Sequence, residues 1–490
     1  ANIASSDASE IGNITNGIAR AAFDEKLSDA FFLYFQGVKL ATETKNEASR
    51  TILTPDLPKM LSLANVGAQI FGYDRKKHYL LLFQNNGELR PTGGFIGSVG
   101  NLYVKNGKIE KLDIQDVYEY DGQLKAHVEP HYIVRRYLQP HLYLRDSNFD
   151  PDFQTSAGTI ALIYNLETGQ KVDGVIAITF EAVKQIIAEV GPIKLSSYNQ
   201  TLDEKNTFEF LEKTIDDNFF AGSTQKKDVL QALFNQLILK LEDRNSAIKI
   251  AKLIPRLADE KQILFAFNEN SIQSVFTSVG FGGEYRDPRK ISSSVNDFLA
   301  INEANIGVNK ANVQVKRSTD YEPALEGEKI TSRVIHRINN GSDKEYKSYI
   351  RFFVPKGSNL ISVKIDGTKQ KLVPAVTDYK IYERKTFKAP DGLEVDTSVE
   401  KDLQVFGFII NVPPKSNQVI EVEYANGISL PTDSEVNYSL FLIKQPGTLT
   451  FPFTLKLNYG PGFTPKVVEN AELAEGNIVI NADISTDREF

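Results

Sequence analysis

The hydrophobic period of this chain changes once, near residue 296, and that change limits the fold more than any other feature. Before it, apolar residues recur at helical spacing between short, wholly apolar runs. Ala182, Val183, Ile186, Ile187 and Val190 share one helical face; Gly191 then permits a left-handed turn and Pro192 blocks continuation. Leu230 to Leu241 and Ile250 to Leu257 predict two further helices, and Ile272 to Val279 a last one ended by Gly280. Between the helices, Tyr79 to Phe83, Asp173 to Thr179 and Ile263 to Phe267 read as strands. The first is apolar throughout, which suits a strand buried on both faces. Asn106-Gly107 lies between strand-like runs and predicts a tight hairpin, because both residues tolerate positive φ. Strands alternating with helices predict a three-layer α/β domain over residues 75–295.

After residue 296 the period is two. Ile330, Ser332, Val334, His336 and Ile338 alternate with more exposed types. Similar short runs recur at 349–354, 360–365, 405–412, 419–424, 438–443 and 453–457, with turn signals such as Asn340-Gly341 and Asp366-Gly367. This predicts a β-sandwich over 296–490. At the other end, residues 8–48 carry helical faces, and Thr54-Pro55-Asp56-Leu57-Pro58 breaks them. Residues 1–74 therefore read as an N-terminal helical segment.

Composition narrows function by exclusion. The chain has 490 residues, 63 acidic and 56 basic, for a net charge of −7. The basic excess expected of a nucleic-acid binder is absent. Cysteine is absent, which removes disulfides, thiolate metal sites and cysteine nucleophiles. No apolar run is long enough to span a membrane, and the polar start at Ala1 to Glu10 is no signal peptide. An export signal or anchor is expected outside this chain.

Three segments could carry chemistry. The first is Glu88-Leu89-Arg90-Pro91-Thr92-Gly93-Gly94, just past a buried strand, where α/β sheets tend to place ligands. Arg90 offers a fork of donors suited to phosphate, and successive glycines let backbone amides approach an anion. The structural alternative is a tight turn with a Glu88–Arg90 salt bridge. The second segment spaces Asp146, Asn148, Asp150 and Asp152 two apart. Pro151 and Ala157 break the calcium-loop pattern, but the carboxylates could hold Mg²⁺ against a diphosphate. The alternative is a set of Asx turns before a helix capped by Ser156. The third is the basic group Arg135, Arg136 and Arg145, either an anion site or a solvated loop. His127 and His131 are four apart, but Pro130 between them argues against a helical zinc pair. No G-x-S-x-G elbow is present.

Long ordered motifs carry a resemblance. Tyr79 to Gly97, with Gln84-Asn85-Asn86-Gly87-Glu88-Leu89-Arg90-Pro91-Thr92-Gly93-Gly94-Phe95-Ile96-Gly97 at its heart, resembles the signature of an uncharacterised bacterial surface-protein family. Leu144 to Ala157, Val172 to Ala177, Asn305 to Lys310, Arg351 to Gly357 and Lys444 to Thr448 extend it over most of the chain. Phe149 and Phe281 stand where that family is expected to carry tryptophan. The core of that family in turn is similar to the LytR-CpsA-Psr enzymes, membrane-anchored extracellular phosphotransferases that move glycopolymers from polyprenyl pyrophosphate to the cell wall. The resemblance implies that Arg90, Arg135, Arg136 and Arg145 bind pyrophosphate. It also implies that Asp116, Asp146 and Asp152 hold Mg²⁺, with Arg90, Asp116 and Asp146 as the catalytic set. Gln115-Asp116 stands where the enzymes carry an Arg-Asp pair, and their Arg-Ser-Asp-Thr motif is only loosely echoed by Arg90-Pro91-Thr92. Two functions follow as expectations: a cell-envelope glycopolymer phosphotransferase acting on a lipid-linked glycan and a cell-wall acceptor, or a non-catalytic surface, adhesion or lattice-forming protein on the same scaffold.

Overall fold

The computed structural model describes residues 66–216, 225–285, 294–430, 437–460, 463–464, 471–474 and 476–490, with Leu63 and Lys466. The helix expected over 8–48 lies outside these residues. Contacts divide the chain into two compact units. The first comprises the described part of Ala1–Phe83, Gly97–Gln123 and Ile160–Gly283; the second comprises Gln84–Ile96, Leu124–Thr159 and Glu284–Phe490. The chain is mixed α/β in its N-terminal part and rich in β-sheet in its C-terminal part.

The first unit is built on a five-stranded sheet. Its strands are β1 (Lys77–Asn85), β2 (Phe95–Lys105), β3 (Lys108–Asp116) and β4 (Gly174–Thr179), then, after a small hairpin of β5 (Ile193–Leu195) and β6 (Gln200–Leu202), β7 (Ile263–Phe267). The order is β3-β2-β1-β4-β7. Tyr79 to Phe83 is buried at every position, as its unbroken apolar run requires. Leu81 and Phe83 join Val183, Ile187, Leu233 and Leu257 in one core. Each such side chain contributes roughly 1.5–3 kcal/mol on burial. Helix Phe180–Val190 is capped by Thr179, which accepts from the Ala182 amide, and it ends where Gly191 takes φ +83°. The β2–β3 hairpin turns on Asn106 and Gly107 at φ +51° and +76°. That is the type I′ geometry the dipeptide predicts.

Residues 117–154 contain helices Val117–Asp121 and Tyr132–Tyr137 and a tight turn at Leu144–Asp146. Each is too short to show a period. Capping side chains start two of them: Asp116 accepts from the Tyr118 amide and His131 from the Ile133 amide. Ser156 is not the cap of the following helix, which runs Phe153–Thr168. Asp152 accepts from the Thr155 amide there, while the Ser156 hydroxyl donates to the Asp150 carbonyl.

The β-rich part of the second unit has two sheets. The strands are β8 (Ser294–Asn305), β9 (Val315–Glu326), β10 (Lys329–Asn340), β11 (Tyr346–Pro355), β12 (Asn359–Ile365), β13 (Thr368–Lys369), β14 (Leu372–Pro374) and β15 (Leu393–Glu400). They continue as β16 (Leu403–Val412), β17 (Ser416–Ala425), β18 (Asn437–Ile443), β19 (Phe451–Tyr459), β20 (Glu472–Ala474), β21 (Asn477–Ile484) and β22 (Arg488–Glu489). One sheet runs β13-β12-β17-β10-β9-β19-β21-β20, the other β14-β15-β16-β11-β8-β18-β22. On β10, Ile330, Ser332, Val334, His336 and Ile338 are buried and their alternates are not, as the period of two predicts. Val334, Ile338 and Val422 of one sheet share a core with Phe352, Phe406 and Phe408 of the other.

Candidate functional site

Five of the sequence motifs meet inside the second unit, around Arg90. The Arg90 side chain is 2% exposed. Its Nη2 lies 2.8 Å from Glu88 and 3.3 Å from Asp146, and its Nη1 donates to the Asn305 carbonyl. Burial works against the guanidinium charge, but Glu88 and Asp146 outweigh it and hold the Arg90 pKa above its ordinary value. Burial raises the Glu88 pKa, with Arg90 offsetting only part of the effect.

The loop that carries Arg90 is held by its carbonyls. The Asn305 amide donates to Leu89 O at 2.9 Å, Gln445 Nε2 to Arg90 O at 3.3 Å, Asn302 Nδ2 to Pro91 O at 3.1 Å and Asn148 Nδ2 to Gly94 O at 2.9 Å. The Gly93 amide, expected to face an anion, donates instead to the Arg90 carbonyl. The glycines serve close packing of backbone on backbone. A Cβ on Gly94 would lie 2.4 Å from the Asn85 carbonyl carbon. A Cβ on Gly447, at φ +75°, would lie 2.0 Å from the Gly93 oxygen.

The other expected residues divide. Arg145 joins Arg90 through Asp146: its Nε is 3.6 Å from that carboxylate, and its Nη2 donates to Gln139, whose amide donates to Asp146 at 2.6 Å. Arg135 is bound by Glu129 at 2.7 Å and Glu383 at 2.8 Å, and Arg136 forms a two-pronged bond to Glu394. Asp152 accepts from Thr155 and from the Tyr285 amide at 3.1 Å, with Lys401 3.6 Å away. Asp116 belongs to the first unit, where it caps Val117–Asp121. Among the described residues, no group of three or more His, Asp or Glu side chains is arranged to share a metal ion. His127 pairs with His141 and Glu129, while His131 is packed against Phe149, their ring centres 5.0 Å apart.

Beside Asp146 lies a cavity of about 390 Å³, within the size range of small-molecule sites. The rings of His131, Phe149, Tyr285 and Phe353 lie along its wall, and its charged lining includes Asp150 and Arg351. Arg351 is 2% exposed. Its Nη2 donates to the Phe149 carbonyl at 3.0 Å and to Asn302 Oδ1 at 3.1 Å, while its Nε is buried without a partner. The rings of Phe149, Tyr349 and Phe353 lie 5.5 to 5.7 Å from the guanidinium. Burial pushes the Asp150 carboxyl up, partly countered by Arg351. Burial, then the Arg351 charge, drives the His131 pKa down to about 3. Sequence reasoning assigned Arg351 no role. The signal was present: one arginine sits within Tyr349-Ile350-Arg351-Phe352-Phe353-Val354, an otherwise apolar strand.

Comparison with known proteins yields one family match. Residues 74–215 match the model described as "Protein of unknown function (DUF4012)". No curated protein matches. Among solved structures, the chain overlaps a candidate nutrient-binding protein of Legionella pneumophila at 8% identity and TM-score 0.23, over 36% of this chain and 66% of that one. It overlaps an M1 zinc metallopeptidase of Deinococcus radiodurans at 8% identity and TM-score 0.19, over 35% and 39%. Leukotriene A4 hydrolase of Saccharomyces cerevisiae gives 11% identity and TM-score 0.20, over 34% and 27%. The chain thus spans less than two thirds of these proteins' own lengths, and none of the overlaps amounts to a shared fold.

Proposed function

We propose that this chain is a non-catalytic bacterial surface protein, in which an arginine motif resembling that of the LytR-CpsA-Psr phosphotransferases has become a structural clasp. The observation that carries this reading is the state of Arg90. It is buried, bonded to Glu88 and Asp146, and joined to β8 through the Asn305 carbonyl. A phosphate ligand must replace those partners, and removing a carboxylate from a buried pair is costly. Arg135, Arg136 and Arg145 are likewise engaged by carboxylates or Gln139. A fold can outlive its chemistry.

The rival phosphotransferase keeps Arg90, Asp116 and Asp146 as its catalytic set and Mg²⁺ as its cofactor. One titration separates the two. Sodium pyrophosphate is added to the full chain with and without Mg²⁺, and heat is measured for the wild type and for Arg145→Ala. The non-catalytic reading expects no saturable binding tighter than about 1 mM. Tight, Mg²⁺-dependent binding that Arg145→Ala weakens, or transfer of glycan from a polyprenyl pyrophosphate, overturns it.

A further inference from the structure

We propose that the cavity between Phe149, Tyr285 and Phe353 binds a small zwitterion of the α-amino-acid class, its carboxylate on Arg351 and its ammonium on Asp150. This goes beyond the surface-protein reading, which assigns the cavity no ligand.

Arg351 is a buried charge with no carboxylate bonded to it. A buried guanidinium is ordinarily matched by a carboxylate. Arg351 has only the Phe149 carbonyl, the Asn302 side-chain oxygen and three ring faces. Its Nε has no partner, and Arg351 lines the cavity. An anion placed there would gain a donor fork in a poorly solvated site. His131 adds a donor. Its Nδ1 accepts from the Ile133 amide, which leaves the proton on Nε2 of a neutral ring lining the same space.

The rest of the lining selects among anions. Asp150, Asp152 and Glu400 also face the cavity, so a phosphate dianion meets repulsion. Lys401 does not reverse this, because it lies against Asp152. Asp150 uses one oxygen for the Asp152 amide and keeps its second for a cation. A carboxylate beside an ammonium satisfies both charged groups. The rings supply an apolar wall for a side chain.

The test is calorimetry on the full chain with glycine and with both enantiomers of alanine and phenylalanine. Each binder is compared with its amide, which lacks the carboxylate, and its N-acetyl form, which lacks the ammonium. Inorganic phosphate and sodium acetate are run alongside. At least one amino acid is expected to bind, and each blocked form to bind about tenfold or more weaker. Asp150→Asn and Arg351→Gln should weaken binding by a similar factor. Should Arg351→Gln fail to fold, Asp150→Asn and the blocked ligands on the wild type still decide. The proposal is overturned if no amino acid binds, if the blocked forms bind equally well, if phosphate or acetate binds better, or if Asp150→Asn binds unchanged. None of these readouts involves pyrophosphate, so failure here leaves the non-catalytic reading to its own titration.

Discussion

Arg90 and Arg351 are both buried arginines of the second unit, and both sit in motifs that stand out in the sequence. Their surroundings differ in kind. Arg90 has two carboxylates within 3.3 Å, so its charge is spent inside the protein. Arg351 is bonded only to neutral acceptors and bordered by aromatic rings. Residue type is identical, so the partners decide the role. The Nε of each is buried without a partner, so the bonded carboxylates make the difference. A buried arginine bonded to carboxylates holds structure, and one without them, beside a cavity, is poised for a ligand.

The contrast is sharpest in stability. Arg90→Met leaves Glu88 and Asp146 buried together without the cation between them, Arg145 remaining only beside Asp146, and it should cost about 3–5 kcal/mol in urea unfolding. Arg351→Met removes a charge that is hydrogen-bonded to no carboxylate, although Asp150 loses its attraction. It strands only the Phe149 carbonyl and the Asn302 oxygen, at about 1–2 kcal/mol. Equal losses would break the distinction between the two sites. A larger loss at Arg351 would reverse it.

The glycines test the same distinction on the Arg90 side. Gly94→Ala drives a methyl group into the Asn85 backbone, which cannot retreat as a flexible side chain would. The expected cost is about 1–3 kcal/mol. Pyrophosphate behaviour should not change, because the loop is a packing element. An unaltered melting temperature would mean the loop is looser than its close contacts imply.

Much of the fold was legible because periodicity reports burial directly. Tyr79 to Phe83 is buried along its length, and β10 alternates as written. Asn106-Gly107 adopts the positive φ values that its residue types invite. The site was legible only as a set of motifs. Glu88, Arg90 and Gly94 were visible as a unit, including the Glu88–Arg90 pair. The third partner, Asp146, lies 56 residues from Arg90 and the Asn305 carbonyl 215 residues away. No local pattern encodes such a meeting. Asp116, in the first unit, shows the same limit from the other side, since its visible local role is a helix cap. Arg351 was passed over because motif reading seeks clusters of chemistry, and a lone charge in an apolar strand is a burial signal instead.

The smallest effect concerns protons beside Arg351. His131 is held neutral, first by burial and then by the Arg351 charge, with its pKa near 3 against an ordinary 6.5. Between those values the unfolded chain binds a proton that the folded chain refuses. Stability is therefore full above about pH 6.5 and falls as the pH drops toward 3. At pH 5 this one group should account for about 1–2 kcal/mol. His131→Asn keeps an acceptor for the Ile133 amide but cannot titrate, so its acid limb should be flatter while its stability at pH 8 stays close to wild type. Arg351→Met should raise the His131 pKa, because it removes the second of the two forces acting on the ring. Paired pH titrations of His131 by NMR read this directly. A His131 pKa that does not move in Arg351→Met would mean the arginine's charge is already screened, and the comparison with Arg90 would lose its electrostatic half.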